Sequence, residues 1–256
     1  MAENKQPLND GASQVGTVGA VGVEKAPVLT LTQSIQKTFV RLNIWEKVAV
    51  VIAFFISLGF NIKGIVPTVM AGEYNFLTIM SLIMAVFGFL GTWTMAVQWQ
   101  HTFKLNGVQN VAGILVNFKQ KLFGDMLTSG YYLWTEFVGH RNWGELRDED
   151  GDLQVDKEFG YKDIFKAVVI WTFGLGILSK LLGGTQIWLD AVTNGLSFTA
   201  QRRQVTGHID GYYLWLLVDV LSCWLMLRVG NEVVAYSYLG MFAQGVAGLI
   251  IWRKGE

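Results

Sequence analysis

The stretch GYYLWLLVDVLSCWLMLRVGNEVVAYSYLGMFAQGVAGLIIW, Gly211 to Trp252, decides how the chain is read. It holds two apolar segments separated by Arg228, Gly230, Asn231 and Glu232, and the first carries Asp219 near its centre. Tyr212, Trp215, Asp219 and Ser222 follow the i, i+3, i+7, i+10 spacing of one helix face, so an acid sits in an aromatic stripe. At the centre of a membrane-spanning helix an acid costs roughly 2.5 to 3.5 kcal/mol. Asp219 is therefore expected to face a cavity or a partner, not lipid.

Working outward, comparable apolar segments of about 18 to 25 residues recur along nearly the whole chain after its first forty-five residues. The composition agrees: 52% of the 256 residues are hydrophobic, with ten Trp and three Pro. This is the balance of an all-α, multi-pass membrane protein. A membrane β-barrel is excluded, because the segments are too long and lack period-two alternation. Zero net charge gives no reason to expect a nucleic-acid partner. Cys223 lies inside an apolar segment and reads as a small buried residue; as the single cysteine it can form no disulfide within the chain.

Eight spans are predicted, at about 46–69, 74–99, 103–121, 124–143, 161–183, 186–206, 211–228 and 231–252. The third carries Asn106, Gln109, Asn110 and Asn117, and the sixth carries Asp190 and Asn194. Such groups are costly in lipid, so both helices are expected inside a bundle and against something wet. Residues 1–45 read as a cytoplasmic tail followed by an amphipathic lead-in, in which Ile35, Phe39, Leu42 and Ile44 alternate with Lys37 and Arg41. Residues 46–252 form the transmembrane domain, and 253–256 a short cytoplasmic tail. Fifteen of the twenty Lys and Arg residues fall on the side that holds both termini, which places that side in the cytoplasm. The polar connection from Gly144 to Tyr161 contains DEDGD, Asp148 to Asp152. An EF-hand begun at Asp148 would need Gly and Glu where Leu153 and Phe159 stand, so a solvated loop is expected and no metal site.

Sliding the chain against itself until Lys121 falls on Gly230 superposes Lys121–Trp143 on Gly230–Trp252 without a gap, both ending in G-x-x-x-W (Gly139 with Trp143, Gly248 with Trp252). The same register sets Asn110 on Asp219, Phe103 on Tyr212 and Ser81 on Asp190. Repeat one is then 74–143 and repeat two 186–252, with a linker helix at 161–183 and one extra helix in front. Repeats separated by one crossing run parallel, and parallel repeats in carriers hold substrate between the halves near the midplane. Asn110 and Asp219 are expected to meet there.

These residues resemble the PnuC-type vitamin transporter family, whose best-known members carry nicotinamide riboside. The likeness covers about 74–256 and rests on Asp190-x(28)-Asp219, on Y-x-x-W-x-x-x-D (Tyr212, Trp215, Asp219), on Tyr238, on Gly107-x-x-Asn110 and on the two G-x-x-x-W motifs. Tyr212 and Asp219 stand where the family usually has Trp and Asn. The resemblance implies a seven-helix, SWEET-like 3+1+3 core with an added N-terminal span. It implies facilitated diffusion of nicotinamide riboside across a bacterial-type inner membrane into the cell, where a cytosolic kinase traps the product in NAD biosynthesis. Relatives in the same family carry thiamine or riboflavin, and those ligands stay open, as does coupling to an ion.

Nicotinamide riboside is a flat pyridinium cation with an amide and a sugar. A site for it needs an aromatic face, an acceptor of charge and polar contacts for hydroxyls. Trp215 supplies the face, where a cation over indole is worth roughly 0.5 to 2 kcal/mol. Asp219 can offset the charge, Tyr212 shares its helix face, and Asn110, Gln109, Gln244 and Tyr238 are the candidate polar contacts. The plainer alternatives are helix packing for Trp215 and Tyr212, structural hydrogen bonding for Asp219 and a helix-end cap for Asp190. Trp143 and Trp252 are expected at the membrane interface. No cofactor is called for, and homo-oligomerisation is left open. A membrane-embedded enzyme has little support: His101, His140 and His208 fall near span ends with no H-E-x-x-H motif, and no phosphate-binding G-x-x-x-x-G-K-[ST] occurs.

Overall fold

The computed structural model describes residues 27–72, 74–120, 123–181, 187–228 and 232–254. The helices run α1 (Leu31–Arg41), α2 (Ile44–Met70), α3 (Phe76–Ala96), α4 (Thr102–Lys119), α5 (Phe123–Glu145), α6 (Tyr161–Leu181), α7 (Ile187–Val205), α8 (Asp210–Arg228) and α9 (Glu232–Trp252). Extended pairing among the described residues is limited to two isolated bridges, Arg147 with Leu153 and Asp156 with His208. Helices α2, α3, α8 and the Ala235–Trp252 part of α9 are long and apolar enough to cross a membrane.

Local chemistry sets the first boundaries. Thr30 and Gln33 form a capping box at the start of α1, Asn43 and Glu46 form another at α2, and the Asn75 side chain accepts from the Thr78 N–H at α3. With 27 residues α2 is about 40 Å long at the standard rise, more than a bilayer's hydrocarbon core of about 30 Å. The turn from α3 to α4 needs a left-handed residue and uses Gln98, at φ 58°; the turn from α7 to α8 uses Gly207, at φ 80°. These two positions coincide in the repeat register that sets Asn110 on Asp219.

Among the described residues, six helices close a ring in the order α3, α4, α5, α7, α8, α9 and back to α3. Its seams are α3 against α9 and α5 against α7, which exchange under the repeat register. The middle helices α4 and α8 hardly touch and face each other across the ring. Helix α2 packs outside on α9 and more lightly on α3, and α6 packs outside on α7.

One end of the ring is sealed by the main core, which includes Met95, Phe103, Trp143, Val205, Tyr212, Ala247 and Trp252. The connection from α5 to α6 folds over this end: Glu149, Asp150, Lys157 and Glu158 are exposed, as expected from its charge, but other positions are buried. Leu153 is fully buried within it, and Arg147 is buried with its guanidinium donating to the Gln98 and Gly151 carbonyls. Burial draws the Arg147 guanidinium below its ordinary range, against the opposing pull of Asp152 and Asp148. Asp152 takes Arg41 at 2.6 Å and Lys37 at 3.3 Å, so α1 is strapped across the loop by the basic residues of its polar face. The tail up to residue 26 lies outside the described residues.

Candidate binding site

Two aromatic sets at the sealed end correspond residue for residue in the repeat register. The Phe103 ring meets Trp143 edge-on at 4.8 Å, and Tyr212 meets Trp252 edge-on at 5.0 Å. Both approaches need glycine. A Cβ on Gly139 would stand 2.3 Å from the Phe103 ring, and one on Gly248 would stand 2.1 Å from the Tyr212 ring. Trp143 Nε1 donates to the Gln204 carbonyl at 3.3 Å and Trp252 Nε1 to the Met95 carbonyl at 3.4 Å, so each indole bonds across a seam. Met95 and Gln204 are themselves counterparts in that register. Trp143 and Trp252 are fully buried, which overturns their reading as interfacial anchors: each indole packs into the core and spends its N–H there. Tyr212, at 2% exposure, belongs to this packing through its ring.

Above the sealed end, α8 presents Trp215 toward α5 and α7. Its Nε1 donates to Gln204 Oε1 at 3.0 Å, and its ring lies 6.2 Å from Tyr132 in an edge contact. Asp219, one turn further along α8, is 4% exposed and forms no ion pair among the described residues. Tyr238 of α9 lies close to Asp219 and to Ser222, one turn beyond it. Trp215, Asp219 and Tyr238 are thus brought into one region.

Two expected contacts go elsewhere. Gln109 and Gln244 line a separate cavity of about 550 Å³ between α2, α3, α4 and α9, with Asn61, Ser81, Thr92 and Ser237. The Gln109 side chain packs on Gly88 of α3. Asn110 is buried on α4 and Asp219 on α8, two helices that hardly touch. Asp190 lies on α7 with its side chain outside the described residues.

The structure adds a polar cluster that the sequence reading did not single out. Gln201 Nε2 of α7 donates to Glu136 Oε1 at 2.9 Å and to Thr135 Oγ1 at 3.2 Å. Asn106 of α4 lies beside the same carboxylate. Glu136 is 4% exposed and its Oε2 is buried with no partner. The signal was present: Glu136 is an acid inside the apolar fourth segment, as Asp219 is inside the seventh. Gln201 and Gln204 were hidden in AQRRQ, which reads as a span end. On the outer side of α4 and α5, an apolar groove of about 610 Å³ carries exposed Val108, Val111, Leu115 and Phe137 and backs onto Glu136. Among the described residues no three His, Cys, Asp or Glu side chains group as a metal ion would need.

A helical membrane protein whose ring of helices encloses buried amide, carboxylate and aromatic groups has the architecture of a small-solute transporter. A family model described as nicotinamide mononucleotide transporter matches residues 78–254, and the chain belongs to that family. It is 24% identical over 145 residues to the nicotinamide riboside transporter PnuC of Haemophilus influenzae, covering 54% of this chain. The match spans 63% of that relative's length. The crystal structure described as that of the vitamin B3 transporter PnuC shares the fold: TM-score 0.58 at 18% identity, over 83% of this chain and 92% of that one.

Proposed function

We propose that this chain carries nicotinamide riboside across a bacterial-type inner membrane by facilitated diffusion, with α2 to α9 as eight spans and both termini in the cytoplasm. In this reading α3–α5 and α7–α9 are parallel repeats of a SWEET-like 3+1+3 core, α6 is the linker and α2 the extra helix. The recurrence of the same contacts at corresponding positions of the two halves supports the repeat. The printed names of the curated relative and the solved neighbour support the vitamin.

The observation that carries the substrate class is the arrangement on α8. The Trp215 indole is held by Gln204 and edged by Tyr132, one turn from a buried Asp219 that has no ion-pair partner among the described residues. An aromatic cation between helices can lie over the indole and offset that charge, satisfying two demands at once. Asn110 and Tyr238 are the polar contacts that fit this placement. Tyr212 acts through packing, and Gln109 and Gln244 serve the cavity beside α2.

The sealed aromatic end is the closed gate of this carrier, and phosphorylation of the vitamin by a cytosolic kinase keeps it inside. Purified protein in liposomes, given labelled nicotinamide riboside, should equilibrate it to equal concentrations whatever proton or sodium gradient is imposed. Accumulation above the external concentration would sink facilitation in favour of ion coupling. Uptake of thiamine or riboflavin in preference would change the vitamin and keep the class.

A further inference from the structure

The buried carboxylates Asp219 and Glu136 hold corresponding places in the two halves of the ring, although they are not equivalent in sequence. In the repeat register Asp219 falls on Asn110, and Glu136 falls on Gly245. In the second half these two positions are neighbours: a Cβ on Gly245 would stand 4.0 Å from Asp219 Oδ2. In the first half Glu136 lies beside Asn106, one turn before Asn110, and lines the same groove as Gly107 and Val108 of that helix. Each half therefore carries one carboxylate where its second helix meets its third, on the second helix in one case and on the third in the other.

Glu136 is also tied to the wall around Trp215. It lies one turn beyond Tyr132, whose ring edges Trp215, and it is bonded by Gln201, one turn before the Gln204 that holds the Trp215 indole. Only one of its oxygens takes the Gln201 bond; Oε2 is buried with no partner. Neither carboxylate has a Lys, Arg or His partner among the described residues. A buried anion without a counter-charge is costly, and an unfilled acceptor adds to that cost. A cationic ligand beside Trp215 would relieve both acids at once, since Glu136 is tied to the surroundings of that indole through Tyr132 and Gln201 and Asp219 stands one turn from it.

We propose that Glu136 is a specificity-determining residue: with Asp219 it forms a two-walled acidic site that selects flat aromatic monocations over neutral rings of the same shape. This rests on the reading of Trp215 and Asp219 given above. It adds a second acid to that site and a reason for its selectivity.

The test compares ligands that differ in charge and hardly in shape. Nicotinamide riboside is a pyridinium cation, and its dihydro form is neutral; thiamine and riboflavin make a second, looser pair. Affinities are measured on purified full-length wild type, Glu136→Gln and Glu136→Asp, with thermal stability read in parallel. Glu136→Gln keeps an acceptor for Gln201 and removes the charge. It should weaken both cations by about tenfold, the size of one charge-assisted contact, and leave the neutral ligands within about twofold. Glu136→Asp should restore most of the preference.

Equal losses for charged and neutral ligands, or no loss, would overturn the proposal while leaving the substrate reading intact. Wild type itself gives an independent answer should Glu136→Gln fail to fold. A site with both acids against the ligand should favour nicotinamide riboside over the dihydro form by at least about tenfold, and the absence of that preference also overturns the proposal. Failure of wild type to bind any aromatic cation would overturn the substrate reading and this inference together.

Discussion

The indoles of Trp143 and Trp252 meet at 5.6 Å with their planes tilted by 57°, and each donates its N–H to a main-chain carbonyl across the seam beside it. The two halves are thus fastened at one end by a symmetric pair of crossed bonds inside an aromatic core. Replacing either Trp by Phe keeps most of the ring and removes one bond, which should cost about 1 kcal/mol. Replacement by Ala should cost about 3 to 5 kcal/mol through the cavity left behind. Thermal unfolding of the detergent-purified protein checks both values. If the Phe variants lower stability no more than exposed substitutions do, the indole N–H groups contribute nothing.

Gly139→Ala and Gly248→Ala should each destabilise by about 1 to 3 kcal/mol, since the added methyl meets the Phe103 or Tyr212 ring well inside contact distance. Gly59→Ala is the control: its Cβ meets nothing and it lies within α2, so the substitution should be neutral or mildly stabilising. Combining Gly139→Ala with Phe103→Leu should recover part of the loss, which a double-mutant cycle measures.

Asp210→Asn should be among the most damaging conservative changes in the chain. Asp210 is fully buried at the start of α8, where it takes Arg203 Nε at 2.7 Å and the Gly160 N–H at 3.1 Å. Removing one member of a buried pair leaves an uncompensated charge and costs about 3 to 5 kcal/mol. Expression level and melting temperature report it. The exposed Arg141–Glu145 pair offers a contrast, and Glu145→Gln should change stability by less than about 0.5 kcal/mol.

Trp215→Ala should abolish measurable uptake, whereas Trp215→Phe should keep a weakened cation face and lose the bond to Gln204. Asp219→Asn should spare a neutral ligand and weaken a cationic one. Equal loss for both ligand types would contradict the role given to its charge.

Helix positions were open to a reader of the sequence because apolar length and period report them directly. The third and sixth segments, marked by their amides, are α4 and α7 and stand in the ring as their polarity requires. Lateral direction was harder to read. Gln109 and Asn110 are adjacent on α4, so their side chains diverge by about 100°, and Gln109 turns toward α3 and the cavity beside α2. Nothing in a terminal G-x-x-x-W distinguishes a Trp that anchors at a membrane surface from one that packs on its counterpart. Only the neighbouring half decides that. Glu136 escaped notice for a related reason: its partner Gln201 is remote in the sequence and sits in AQRRQ, whose basic residues look like a span end.

The crossed bonds at the sealed end accept at peptide carbonyls, Gln204 O for Trp143 and Met95 O for Trp252. Every residue type supplies such an acceptor, so the fastening is encoded on the donor side alone. Substitutions at Met95 can alter packing without deleting the bond, whereas Trp252 has no substitute that presents the same N–H from the same ring. Sequence drift should accordingly be freer on the receiving helices than at the two tryptophans, and the halves can diverge while keeping their closure.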